Sequence, residues 1–202
     1  MPKKVILERK KENLKESKTQ KKTLINKFIG LIFLILALVI LFLPQIFFPP
    51  RINNNNPIKI NSSLFASQET QDNPVRILIP KVSIDLRVIN AKIVNGYWEL
   101  SDNTASYGLG SGHPGQKGNT VIFAHARQGL FYNLKDVQKN DIIYVFTKKN
   151  WFRYKVNKIT AVYPNQTQVI EPTKNRTLTL YTCTGFYDEK RLIVSALQEN
   201  PF

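Results

Sequence analysis

At 202 residues the chain has room for one ordinary globular domain with a tail or an anchor, and none for two large domains. Its net charge of +15 would suit a nucleic-acid binder, but residues 1–27 alone hold ten Lys or Arg against three Asp or Glu, so nearly half the excess sits in one arm. The remainder reads as a general Lys-rich bias, no nucleic-acid partner is expected, and the single cysteine, Cys183, excludes an internal disulfide framework.

In chain order, residues 1–27 predict a basic cytoplasmic tail. Phe28 to Leu43 carries no charged or strongly polar side chain, and a further apolar patch follows Pro44-Gln45, giving a run of 21 positions over 28–48. At about 1.5 Å per helical residue that run reaches across a bilayer core of about 30 Å. It ends in Phe-Phe-Pro-Pro with no small-residue cleavage site, which favours an uncleaved transmembrane anchor over a signal peptide. The Lys-rich flank precedes it, so the expected topology is single-pass in the cell membrane, N-terminus cytoplasmic and everything beyond residue 50 outside, with the lipid bilayer as one partner.

Residues 49–73, rich in Asn and Ser and without periodicity, read as a flexible stalk, and residues 74–202 as the folded domain. Short β-branched and aromatic runs predict strands at 75–79, 86–94, 97–100, 119–126, 141–147, 151–163, 176–183 and 191–197. The stretches 102–108 and 133–138 read as helical turns. The expected fold class is all-β, a small barrel or sandwich with a few short helices.

Within 176–183 the period of two sets Leu178 and Leu180 on one face and Thr179, Tyr181 and Cys183 on the other, so the thiol emerges at a strand end. A thiol becomes a good nucleophile when a neighbouring cation stabilises its thiolate; otherwise an unpaired cysteine is a small buried apolar group. His125 closes the apolar strand Val121-Ile122-Phe123-Ala124 and is the candidate acid/base partner, or else a hydrogen-bonded structural residue. The second histidine, His113, falls in a turn-rich loop. Arg191, eight positions after Cys183, offers a fixed fork of donors for a carbonyl oxygen and the oxyanion formed on it, or else opens an edge strand at the surface.

These pieces together resemble a known family. TLYTC at 179–183 with an Arg eight residues on resembles the TLxTC-to-Arg signature of sortases, and GNTVIFAHA at 118–126 resembles their strand-to-His segment. The stretches 102–126 and 182–186 look closest to classes D and E. The resemblance implies an eight-stranded β-barrel and a cysteine transpeptidase with Cys183 as nucleophile, His125 as acid/base and Arg191 as holder of substrate and oxyanion. Thr182 would add a substrate contact, and residues 163–176 would form the specificity loop. Implied partners are secreted proteins bearing a C-terminal sorting motif and an amine acceptor, from a peptidoglycan precursor or a pilin lysine. No cofactor and no metal is expected; Glu171, a lone carboxylate in the loop, reads as solvated. Two alternatives stay open: a thiol-dependent peptide hydrolase built from the same residues, and a non-catalytic envelope-binding β-domain with a silent Cys183.

Overall fold

The computed structural model describes residues 28–40, 57–65 and 72–199. Residues 28–40 are helical and form part of a unit, 1–52, distinct from the unit 53–202. Among the described residues no helix is long and apolar enough to cross a membrane. The 28–40 stretch reaches only about 20 Å, and residues 41–48 of the expected anchor, like the expected tail, lie outside the described residues.

The described residues of the second unit form ten strands: β1 (Pro74–Ile79), β2 (Ile84–Ala91), β3 (Ile93–Val94), β4 (Tyr97–Trp98), β5 (Ala105–Gly108), β6 (Gly118–Phe123), β7 (Ile142–Thr147), β8 (Trp151–Val162), β9 (Arg176–Thr184) and β10 (Lys190–Gln198). Eight of them close a barrel in the order β1-β2-β5-β6-β9-β10-β8-β7, while β3 and β4 form a separate two-stranded sheet. The pairing is antiparallel except at β2–β5 and β6–β9, which are parallel. The all-β, eight-stranded expectation holds, but the strands are not the eight runs read from the sequence. The run 86–94 divides into β2 and β3, and 97–100 contributes only the short β4 outside the barrel.

The missing barrel strand is β5, in a stretch read as a helical turn. Ala105, Ser106, Tyr107 and Gly108 are all buried, so no alternation of polar and apolar residues betrays a strand there. Packing demands its small residues: a Cβ on Gly108 would sit 2.5 Å from the Trp98 ring. By contrast, the turn expected at 133–138 is present as a short 3-10 helix, Phe131–Asp136.

Alternation sorts the side chains of β9 onto two faces. Leu178 and Leu180 enter the barrel interior with Ile122, Tyr107, Val145, Tyr154 and Val194. Tyr181 joins Val121, Phe123 and Ile193 on the outer face, under Trp98. Ile58, Ile60 and Phe65 belong to the same outer cluster at 0%, 5% and 6% exposure, and the Ile60 N–H donates to the Gly96 carbonyl at 2.8 Å. Part of the segment read as a stalk therefore packs as folded protein.

Candidate active site

The site is set by strand register. β9 and β10 pair so that Cys183 and Arg191 lie directly opposite each other. β6 runs parallel to β9 with Phe123 opposite Tyr181, and two residues further along both chains come His125 and Cys183. Two bonds carry that register past the end of β6. The Ala124 N–H donates to the Tyr181 carbonyl at 3.4 Å, and the buried Thr182 Oγ1 donates to the Ala124 carbonyl at 2.7 Å. The Phe123 and Tyr181 rings stack at 4.9 Å with planes 9° apart, which puts the two chains on the same pleat. With neighbouring strands about 4.8 Å apart, extending this register puts the backbones of His125, Cys183 and Arg191 in one row across three neighbouring segments.

Cys183 is a free thiol, half-buried at the end of β9. Burial pushes its pKa up from the ordinary thiol value; the Arg191 charge pulls it down, and Asp188 pushes it up again. Burial and Asp188 thus disfavour the reactive thiolate, and Arg191 favours it.

Arg191 is not the surface residue of the bland alternative: it is 1% exposed. Its Nη1 donates to the Asp188 carbonyl at 2.7 Å and to the Lys190 carbonyl at 2.8 Å. These bonds clasp the loop after Cys183, in which Gly185 has φ +87° and Tyr187 and Asp188 are also left-handed, at φ 52° and 58°. Non-glycine residues persist in that region only when their surroundings over-determine them. The same loop presents Phe186 and Tyr187 to solvent, their rings in edge contact at 4.3 Å.

The His125 imidazole is 35% exposed, with Nε2 3.5 Å from Oδ1 of Asp102. Asp102 was invisible as a partner because it falls in the stretch read as a helical turn. Its side chain is 83% exposed, so the pair adds at most about 1 kcal/mol. The His125 carbonyl accepts from the Phe131 N–H at 3.0 Å, fixing the backbone behind the ring.

Thr182 is 4% exposed, and its hydroxyl hydrogen is committed to Ala124, so within the fold it ties the Cys183 strand to the His125 segment. His113 lies before the start of β6, away from the row, with its ring 6.4 Å from that of Tyr107. Asp188 and the buried Tyr181 hydroxyl, which has no hydrogen-bond partner among the described residues, complete the surroundings. No group of three or more His, Cys, Asp or Glu that could hold a metal ion occurs among the described residues. A thiol, an imidazole and a guanidinium are the group types that can serve as nucleophile, proton carrier and oxyanion holder.

Comparison with known proteins identifies the family. The sortase domain model matches residues 77–199, more than half of the chain. The chain belongs to the sortase family. It is similar to sortase A of Bacillus anthracis, 28% identical over 128 residues, which cover 60% of this chain and 57% of that protein. Among solved structures it resembles a lid mutant of sortase A from Corynebacterium diphtheriae, at 29% identity and TM-score 0.56, covering 64% of this chain and 72% of that one. A Clostridium perfringens sortase D5 transpeptidase has the same TM-score of 0.56 at 25% identity, covering 64% of this chain and 80% of the other. Sortase A and sortase D names occur together, so these similarities place the chain in the family without separating its classes. The matched region spans well under two thirds of the Bacillus anthracis relative.

Proposed function

We propose that this sortase-family chain is a membrane-anchored cysteine transpeptidase of the cell surface, nearest to classes D and E. It acts on secreted proteins with a C-terminal sorting motif and passes them to an amine from a wall precursor or a pilin lysine. The anchor is residues 28–48, with the N-terminus cytoplasmic. The observation that carries the reading is the strand register that pairs Cys183 with Arg191 and, extended two residues past Phe123–Tyr181, brings His125 level with Cys183.

The steps follow from what each group offers. Ionised Cys183 Sγ attacks the scissile carbonyl carbon, and the electron pair displaced onto oxygen is held by the Arg191 guanidinium, with a backbone contact from Thr182. The tetrahedral species collapses, the C–N bond breaks, and protonated His125 gives its proton to the leaving amine, leaving a thioacyl-enzyme. The acceptor amine then loses a proton to neutral His125 as it attacks the thioester, and Cys183 leaves as thiolate. Burial and Asp188 oppose the thiolate and Arg191 supports it, so these groups tune the nucleophile.

The test is incubation of the full chain with a library of peptides carrying sorting-signal-like C-termini, with and without an added amine, read by mass spectrometry. The expected product is the acyl-amine adduct, absent with Cys183→Ala and reduced by several orders of magnitude with Cys183→Ser. Cleavage that gives only the free acid at every amine concentration would establish the hydrolase instead. A Cys183 that a thiol reagent never labels would establish the silent β-domain.

A further inference from the structure

The period of two that carries β6 up to His125 puts Asn119 on the same outer face as Val121 and Phe123, and the matching column on β9 is Thr179, Tyr181 and Cys183. The apolar column under the thiol thus begins in a polar pair, six residues or roughly 20 Å before His125. Asn119 is 2% exposed and Thr179 1%.

Every functional atom of the Asn119 side chain is engaged. Its Oδ1 accepts from the Thr179 hydroxyl at 2.8 Å, and its Nδ2 donates to the Val169 carbonyl at 3.2 Å and the Glu171 carbonyl at 3.0 Å. Carbonyls only accept, so the carboxamide fits in one orientation alone: oxygen toward the hydroxyl, nitrogen toward the two carbonyls. Thr179 lies also 3.4 Å from the Val169 carbonyl, and its single hydrogen takes the shorter bond to Oδ1.

The two carbonyls belong to the connection 163–175 between β8 and β9. Both strands run antiparallel to β10, so the connection crosses β10 from one barrel end to the other. It leaves β8 at Val162, which pairs with Arg191, and enters β9 at Arg176, which pairs with Gly118. Midway, Ile170 is 1% exposed and packs with Val169 on Val121, Tyr181 and Ile193. Apolar burial holds this segment down without direction, and the Asn119 carboxamide gives it a fixed register.

Above the clamp, the span Tyr163 to Gln168 moves as one piece. The Tyr163 N–H donates to Gln166 Oε1 at 2.9 Å, and the Gln166 N–H donates to the Tyr163 carbonyl at 3.0 Å. Lys190, next to Arg191, sets its ammonium 5.3 Å from the centre of the Tyr163 ring. The place of this turn beside the row of His125, Cys183 and Arg191 is therefore set by its two ends, Val162 and Val169. Without the clamp the next polar hold is Thr173, whose hydroxyl donates to the Gly118 carbonyl at 2.9 Å, and the free span grows to 163–172.

We propose that Asn119 is a positioning residue for substrate: held by Thr179, it locks Val169 and Glu171 onto β6 and β9 and so fixes the Tyr163–Gln168 turn as a wall for the peptide. This role rests on the transpeptidase reading above.

The assays use the full chain, the library peptide that gives most adduct, and the same amine. Asn119→Asp keeps the acceptor for Thr179 and removes both donors, Asn119→Leu removes all three bonds at similar shape, and Thr179→Ser keeps the hydroxyl. Hydrogen exchange of the amides in 163–172 is expected to quicken at least about tenfold in both Asn119 variants and less than about threefold in Thr179→Ser, with β8 and β10 protected as before. KM for the peptide is expected to rise at least about tenfold in the two Asn119 variants with kcat within about threefold, because the wall binds and does not touch the reacting atoms. Thermal melts verify folding, and Thr179→Val, which removes only the hydroxyl that orients the carboxamide, is the milder variant with the same direction of change. Unchanged exchange would overturn the clamp. Quickened exchange with an unchanged KM, or a lowered melting temperature as the sole effect, would overturn the peptide wall. A wild-type chain that cleaves no library peptide fails the transpeptidase reading and the wall with it, and exchange in 163–172 then decides the clamp alone.

Discussion

Thr182→Val removes one hydrogen-bond donor and almost nothing else, because valine has the shape of threonine. In the native protein the Thr182 hydroxyl donates to the Ala124 carbonyl at 2.7 Å in a buried position, and Ala124 directly precedes His125. The substitution leaves that carbonyl desolvated and without its donor, a loss of about 1–3 kcal/mol. For a chain of this size each kcal/mol moves the melting temperature by about 2–4 °C, so a drop of roughly 2–12 °C is expected. Turnover should fall further than stability alone requires, since a displacement of about 1 Å at a catalytic group costs on the order of 10²-fold. Thr182→Ser, which keeps the donor, should recover most of both losses. Scanning calorimetry and peptide-transfer kinetics are the assays. A Val variant with unchanged melting and unchanged rate would refute the tether. A raised KM with unchanged melting would show instead that the hydroxyl serves the substrate.

The charges around the thiol make a paired prediction. Asp188→Asn removes a group that pushes the Cys183 pKa up and should speed iodoacetamide labelling at pH 7, while Arg191→Gln removes the group that pulls it down and should slow labelling. In every form labelling should rise about tenfold per pH unit until the thiol is ionised; the same direction of change in both variants would refute the electrostatic account. Gly108→Val forces side-chain atoms into the Trp98 ring and should destabilise by at least about 1–3 kcal/mol in urea titration, with no effect expected only if β5 does not pack there.

The parts of the site that were legible in the sequence are those that follow from period-two alternation. Leu178 and Leu180 against Tyr181 and Cys183 gave the faces of β9 correctly, and with them the exit of the thiol at a strand end. β5 was hidden because a strand buried on both faces and built from Ala, Ser, Tyr and Gly shows neither alternation nor β-branched enrichment. The burial of Arg191 was hidden for another reason. A guanidinium reads as surface unless the carbonyls that receive it are known, and those carbonyls belong to Asp188 and Lys190, in a loop whose left-handed turns no local pattern announces. Asp102 meets His125 only through the fold, across 23 positions of chain.

The boundary of the folded domain can be argued from the outer face of the barrel. Phe123 and Tyr181, which lead into His125 and Cys183, lie in one aromatic row: Tyr181 stacks on Phe123, Phe123 on Trp98 at 5.9 Å, and Trp98 meets the edge of Phe65 at 5.1 Å. Phe65 and its neighbours Ile58 and Ile60 come from the segment before Pro74, and all three are buried. Fully buried side chains of this kind contribute about 1.5–3 kcal/mol each, so the three together come to roughly 4.5–9 kcal/mol, an upper estimate because unfolded chains already bury some apolar surface. That is comparable to the whole stability of an ordinary domain, about 5–15 kcal/mol. A chain beginning at Pro74 should therefore melt well below one beginning at Asn53, and should bind a hydrophobic dye through the uncovered outer face. It should also lose turnover, because Trp98, which backs the Phe123–Tyr181 stack, loses the Phe65 ring packed against it. Equal melting temperatures for the two chains would show that the segment merely rests on the barrel, and that the domain does begin at Pro74.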